Sequence, residues 1–389
     1  MSNPAPGERN ISNPPRTGFS PHTVRLAWIL AVAYLLIIGY ASLQPFQDWR
    51  WPPEEIRRFL LAPWPRFITL QDVAVNFAAY VPLGLLLSVG WGARYGQARG
   101  ALAAALTAAA LSLAMEAVQM FLPARIASNV DLLANGLGAL VGAMAAPLVA
   151  PAQPIGGRIH SARRRLFLDG TPADAGLVIA GLWLVTQFHP TAQLFGTGAV
   201  RATLNLPPYL AHAPGLALGG EAVVVLLNLL GVGLMLSAFM RSGNRPLPVI
   251  AAVVGAALAL KVLNALEFVQ ASAPLAWLTP GVVLGLCAGW LLLWGAVRLP
   301  PPVQLAVAAA CIVAATIAIN LAPDNPYQSV PPRLLARGAS HFLNFSGIVR
   351  ALSELWPLLA TGLLVYALAV RENGELPVRA RAVARRDRL

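Results

Sequence analysis

The sequence predicts an all-α fold, a polytopic transmembrane bundle of about ten helices, and three observations carry that prediction. Of 389 residues, 57% are hydrophobic and 11% charged, which is too apolar for a soluble domain of this size. The apolar residues are gathered into runs that reach the roughly 20 residues a helix needs to cross a bilayer. The arginines sit between those runs, in short connecting segments and at the ends of the chain.

Residues 1–22, rich in Pro and Asn, are expected to form a disordered cytoplasmic tail. The first span, 24–43, is too long for a signal peptide and lacks a cleavage site. The next three spans, 72–92, 100–122 and 130–149, complete a four-helix membrane domain over 23–150. A basic cytoplasmic linker, 151–171, leads to spans at 173–188, 216–239, 248–269 and 275–297, the first of these being the shortest. These fill a second four-helix region, 172–298. Spans at 303–321 and 354–370 belong to a partial third unit, 299–370, and residues 371–389 form a basic cytoplasmic tail.

Orientation follows from the preference of basic residues for the cytoplasmic side. With the N-terminus inside, the cytoplasmic segments hold 18 arginines and the opposite segments 9. Ten spans return the C-terminus to the cytoplasm, and a bacterial inner membrane is the expected location. The net charge of +12 has the same origin. No basic face is interleaved with aromatics, so nucleic acid is not an expected partner and anionic lipid headgroups are. Cys287 and Cys311 lie in different spans as packed thiols. His189, His212 and His341 lack ligand spacing, so neither a metal nor a cofactor is expected. Oligomeric state leaves no trace in the sequence.

Within the oily chain stands a polar constellation. Asp72 and Asn76 share a helix face at i, i+4 near the outer end of the second span. Ser112, Glu116 and Gln119 follow at i, i+4, i+7 on the third, with Glu116 about 9 Å from its outer end at 1.5 Å per residue. Asp131 and Asn135 repeat the i, i+4 spacing at the outer start of the fourth. The hairpin between the third and fourth spans carries Arg125, placed to fold back over the carboxylates. Three acids facing one arginine imply that a carboxyl stays protonated, pairs with Arg66 or meets a cation. Gly136, Gly138 and Gly142 allow the close helix approach such a site needs. For Asp72 or Asp131 alone, helix capping is the simpler reading. Glu116 lies too far inside its span for that, and an ionisable group there points to function.

These residues carry a family resemblance. Asp72 followed by Asn76, then Pro82-Leu83-Gly84, an arginine near Arg94, Glu116-x-x-Gln119, Pro123-x-Arg125, and Asp131-x-x-x-Asn135-x-x-Gly138 with Gly142 together resemble the VanZ-like domain over residues 68–146. The resemblance implies a membrane protein of the bacterial cell envelope in a family named for a member linked to reduced teicoplanin susceptibility. The biochemical activity of that family is not established, so no reaction comes with it.

The rest of the chain reads as a degenerate, parallel second copy. Met115-Glu116-Ala117-Val118-Gln119 is similar to Leu266-Glu267-Phe268-Val269-Gln270, and Pro82 to Ser88 is similar to Gly231 to Ser237. An offset of 149 residues places Glu221 opposite Asp72. The copy lacks counterparts of Arg125 and Asp131 and gains Lys261, the only lysine. With Glu267 and Glu221, Lys261 makes a secondary candidate site, against the alternative that it snorkels to the interface. The loop before the last span, 331–356, alternates apolar and basic residues and reads as interfacial. Trp49, Trp51 and Trp64 in the first outer loop suit an aromatic belt.

Three functions fit these features. The favoured one is an accessory protein whose outer-facing pocket of Asp72, Asn76, Glu116, Gln119, Arg125, Asp131 and Asn135 binds a lipid or a lipid-linked envelope precursor without turnover. The second is an intramembrane enzyme acting on a lipid-linked substrate, with Glu116 as general acid or base and Asp72 or Asp131 as partner. The third is a transporter or lipid flippase, suggested by the repeat, Lys261 and the buried acids.

Overall fold

A computed structural model describes residues 19–43, 48–52, 56–64, 70–123, 125–151, 153–188, 193–203, 206–207, 209–210, 213–265, 275–323 and 339–372. The described residues are helical apart from turns, loops and one isolated antiparallel bridge between Phe167 and Met240. The chain divides into two compact units, Met1–Ala162 and Arg163–Leu389.

Unit 1 contains α1 (Pro21–Leu43), α2 (Leu70–Tyr95), α3 (Gln97–Gln119), α4 (Asn129–Ala145) and most of α5 (Pro154–Leu166), with short 3-10 turns at Ile56–Leu61 and Ala146–Val149. Gly96, at φ +81°, separates α2 from α3 in a left-handed conformation that glycine adopts at least cost. The buried face of α3 is Gly100, Ala104, Ala108, Ser112 and Glu116, a strict four-residue stripe of small side chains that ends on an acid. Helices α2 and α4 meet backbone to backbone. A Cβ at Gly84 would land on the Ala139 carbonyl, one at Gly138 on that of Phe77, and one at Gly142 on that of Val81. Gly136, expected to share this role, has nothing within 4 Å of its Cβ position. It is off the α2 interface because it lies two residues from Gly138, about 200° around the helix.

Unit 2 contains the end of α5, then α6 (Thr171–Thr186), α7 (Val200–Thr203), α8 (Pro214–Phe239), α9 (Pro246–Asn264), α10 (Pro280–Ala296), α11 (Pro301–Leu321) and α12 (Ala339–Glu372). Helix α8 is its centre: 83% of its span is buried, against 17–39% for the other long helices, as its all-round apolar sequence requires. Helix α10 lies on it through Gly281, Gly285 and Gly289, whose Cβ positions crowd Leu218, Ala222 and Leu226 and neighbouring side chains of α8. Residues 193–199 form a non-helical segment inside the protein, with Leu194 and Phe195 fully buried. Its backbone is satisfied by helices: Asn320 Nδ2 donates to the Gly198 carbonyl (2.7 Å), and the Gly198 N–H donates to the Ser353 carbonyl (2.8 Å). Irregular backbone is tolerated in a membrane protein where protein surrounds it in this way.

Among the described residues eight helices are long and apolar enough to cross a membrane, and the shorter α6 and α10 occupy the fifth and eighth expected spans. The eighth was expected to start at residue 275. It starts at Pro280, because Thr279 caps it by accepting from the Val282 N–H (3.2 Å). The final helix begins at Ala339, so the later part of the expected interfacial loop is helix continuous with the last span. Residues 331–338 of that loop, together with Arg66, His189, His212, Glu267 and Gln270, lie outside the described residues.

Candidate functional site

The polar residues of unit 1 gather where α3 meets the start of α4. Glu116, 3% exposed, ends the buried stripe of α3 and accepts a hydrogen bond at Oε2 from the Ser128 N–H (2.8 Å). Ser128 is the N-cap of α4, its Oγ accepting from the N–H groups of Val130 (3.2 Å) and Asp131 (3.4 Å). Asp131 therefore does not cap the helix. It is the third residue of the first turn, where a capping-box acid would take the N–H of the N-cap residue itself, yet that N–H goes to Glu116 from another helix. The Glu116 carboxyl thus sits at the positive end of the α4 dipole.

Asp131 and Arg125 are both electrostatic neighbours of Glu116. Burial pulls the Arg125 guanidinium below its ordinary pKa, and the Glu116 carboxylate beside it pulls the other way. The hairpin thus brings its arginine within electrostatic range of the buried acid.

A turn deeper, Ser112 Oγ accepts from Asn135 Nδ2 (2.9 Å). The Tyr80 hydroxyl is also within hydrogen-bonding reach of Ser112, and Tyr80 has Glu116 and Tyr34 as electrostatic neighbours. Tyr34 in turn donates to the Ala79 carbonyl (2.9 Å). Asn135, 6% exposed, keeps its Oδ1 without a hydrogen-bond partner among the described residues. A buried amide oxygen in that state carries a desolvation penalty of about 1–3 kcal/mol, which a donor on a ligand would relieve.

The other expected members are placed as follows. Asn76 is half-buried on α2, one helical turn from Tyr80. Asp72 is the third residue of α2, and its side chain is outside the described set. Gln119 turns away: its Nε2 donates to the Ser42 carbonyl (3.0 Å), tethering α3 to the end of α1. The segment between α1 and α2 covers this end of the unit. The Arg50 N–H donates to the Phe121 carbonyl (2.9 Å), Trp51 packs on the Phe121 ring at 5.5 Å, and Asn129 Nδ2 donates to the Ala62 carbonyl (2.7 Å).

Sequence reasoning did not single out Tyr34, Tyr80 or Ser128. Tyr80 continues the Asp72 and Asn76 stripe at i+8 and i+4, and Ser128-x-x-Asp131 is a capping signature, so signals existed for both. Tyr34 sits in an apolar run and left none.

In unit 2, Glu221 of α8 is buried and accepts a short hydrogen bond from the hydroxyl of Thr279, the N-cap of α10. Lys261 is 4% exposed on α9 and does not extend to an exposed position as a snorkelling lysine would. Asn264 is buried beside it in sequence, with Oδ1 unpartnered among the described residues. Among the described residues no group of three His, Cys, Asp or Glu side chains is gathered as a metal ion would require.

Fold and site together define a multi-pass helical membrane protein with a buried polar centre in its first four helices. Residues 25–150, about a third of the chain, match the family model described as VanZ/LLP1, so this stretch is similar to the VanZ-like domain. The match takes in α1 as well as the three helices on which the sequence resemblance rests. No curated protein and no solved structure matches the chain.

Proposed function

We propose that this is a bacterial inner-membrane protein, with both termini cytoplasmic, whose VanZ-like domain binds an envelope lipid or lipid-linked precursor from the outer side without chemical turnover. The observation that carries the reading is the pairing of unlike groups at one end of the bundle. Glu116 and the unpartnered Oδ1 of Asn135 present acceptors inside, while Arg125 brings a cation at the loop. A headgroup with a hydroxyl or ammonium beside a phosphate satisfies both at once. The 18 to 9 division of arginines supports the orientation. Two glycine-lined helix pairs, α2 with α4 and α8 with α10, support the reading of unit 2 as a divergent second copy.

The test is binding of the purified protein to nanodiscs across a panel of envelope lipids, beside an Arg125→Ala variant. Arg125→Ala is expected to lose at least about tenfold in affinity for the preferred lipid, from one charge-assisted hydrogen bond. Equal binding by both proteins across the whole panel overturns the proposal. A second reading, proton-coupled chemistry or transport through Glu116, draws on the hydroxyls of Tyr34, Tyr80 and Ser112 near the acid. It requires Glu116→Gln to abolish a cellular phenotype, such as altered glycopeptide susceptibility, while leaving lipid binding intact.

A further inference from the structure

Unit 2 holds a second polar site that the VanZ-like domain does not include. Helix α8 ends at Phe239, Met240 is extended, and residues 241–244 turn the chain into α9, with Gly243 at φ +96°. A cavity of about 180 Å³ lies against this turn, lined among others by Ser237, Arg241, Ser242, Asn244 and Pro246. That is more than ten times the roughly 10–15 Å³ a single water needs.

The chemistry of the lining is one-sided. Ser237 is 2% exposed, and its hydroxyl, turned to the cavity, has no hydrogen-bond partner among the described residues. Arg241 is held in place by two contacts, Nε donating to the Phe167 carbonyl (2.9 Å) and one terminal nitrogen pairing with Asp169. Its other terminal nitrogen has no protein partner among the described residues. The start of α9 adds little to the lining, because Pro246 and Pro248, the first and third residues of that helix, have no N–H to offer. Asn244 Nδ2 is spent on the Arg165 and Leu166 carbonyls (2.9 and 3.3 Å), which fixes the turn. No acidic side chain lines the cavity.

We infer that this cavity binds a phosphate group, held by the Ser237 hydroxyl and the Arg241 guanidinium. The cavity lies at the turn that joins two helices long and apolar enough to cross a membrane, Pro214–Phe239 and Pro246–Asn264. A headgroup and free inorganic phosphate therefore share the chemistry, and experiment separates them.

The reporter is the full chain with Cys287 and Cys311 replaced by alanine and Ser242→Cys added, followed by its rate of alkylation with a water-soluble maleimide. In detergent, inorganic phosphate is titrated against chloride at equal ionic strength. In nanodiscs, a phosphate-free galactolipid bilayer is compared with one containing phosphatidylglycerol. Phosphate is expected to slow alkylation several-fold where chloride does not. Slowing by phosphatidylglycerol without added phosphate identifies the headgroup as ligand, and slowing by inorganic phosphate alone identifies the free anion. Adding Ser237→Ala is expected to weaken the protecting ligand about tenfold, the loss of one hydrogen bond to a charged group. The inference is overturned if neither phosphate source protects more than its control, or if Ser237→Ala leaves protection unchanged.

Discussion

Replacing Gly142 with alanine should destabilise unit 1, while the same change at Gly136, six residues earlier on the same helix, should not. At Gly142 the new Cβ would lie 2.8 Å from the Val81 carbonyl carbon and 3.0 Å from the Leu85 nitrogen, with the Val81 oxygen closer still. Comfortable carbon contacts are about 3.5–4.0 Å, so α4 must move off α2 by about 1 Å at that turn. The obstructing atoms are backbone and cannot rotate aside. Overpacking of this kind costs about 1–3 kcal/mol, and alanine returns up to about 1 kcal/mol of helix propensity, so the net loss is about 1–2 kcal/mol. At Gly136 nothing stands within 4 Å of the added Cβ, and the propensity gain of up to about 1 kcal/mol is all that remains. The propensity gain is common to both, so the two variants should differ by the overpacking cost of about 1–3 kcal/mol, or roughly 2–12 °C in Tm at about 2–4 °C per kcal/mol for a unit of this size. The assay is thermal unfolding of both full-length proteins in one detergent. Equal Tm values, or a lower one for Gly136→Ala, would refute the reading of α2 and α4 as a glycine-mediated contact.

Further outcomes follow from the polar contacts. Glu116→Ala leaves the Ser128 N–H without its acceptor and should cost about 1–3 kcal/mol, whereas Glu116→Gln keeps a carbonyl there and should melt close to the parent; indistinguishable melts would show that the bond adds nothing. Ser128→Ala removes the α4 cap and should cost about 1 kcal/mol by the same measurement. Asp169, on the loop before α6, tests pH dependence. Slight desolvation pushes its carboxyl up, but the Arg163 and Arg241 guanidiniums outweigh it and hold the pKa below the ordinary value. A depressed folded pKa means the stabilisation is complete above the unfolded value near 3.9 and is lost as pH falls through the folded one. Asp169→Asn should thus be less stable than the parent at neutral pH, and the gap should close only in acid below the usual carboxylate range. Because Asp169 is 59% exposed, added salt should narrow it too. A gap that closes near pH 5 would contradict this assignment.

The parts of the site that could be read from sequence are those that announce themselves by cost. A glutamate deep in an apolar run has few tolerable surroundings, so Glu116 and the Ser112 and Asn135 that share its neighbourhood could be placed together from helical spacing alone. The aromatic hydroxyls could not, because Tyr34 and Tyr80 bury their rings as any core residue does, and only packing reveals where the oxygen ends up. Gln119 shows the opposite error. Its spacing from Glu116 suggests a shared stripe, but the carbonyls at the end of α1 are unsatisfied acceptors, and Gln119 serves Ser42 instead. The glycines of α4 fail for a similar reason: composition flags Gly136, Gly138 and Gly142 alike, and only the angle about the helix separates them. Fold class survived these errors because span length and apolarity set it, whereas partner choice depends on which helix faces which.

The two units solve one problem in related ways, and the difference bears on where a ligand goes. A helix that begins inside a membrane protein has N–H groups that must be satisfied without water. In unit 1 the acceptor brought to the N-cap residue of α4 is Glu116 of α3, and in unit 2 the acid brought to the N-cap residue of α10 is Glu221 of α8. A carboxylate suits this place in both, since the dipole of the capped helix offsets part of the cost of burying it. Capping alone would therefore account for Glu116, and for Glu221 as the acid that holds the capping hydroxyl of Thr279. It does not account for an amide oxygen left unmatched at Asn135, three residues past the first turn of α4, nor for an arginine brought near the carboxyl by the hairpin that α4 follows. In unit 2 no arginine occupies the segment just before α10, where residues 275–279 are Leu-Ala-Trp-Leu-Thr. The surplus of unlike hydrogen-bonding groups belongs to the VanZ-like stretch, and the headgroup binding we propose draws on that surplus.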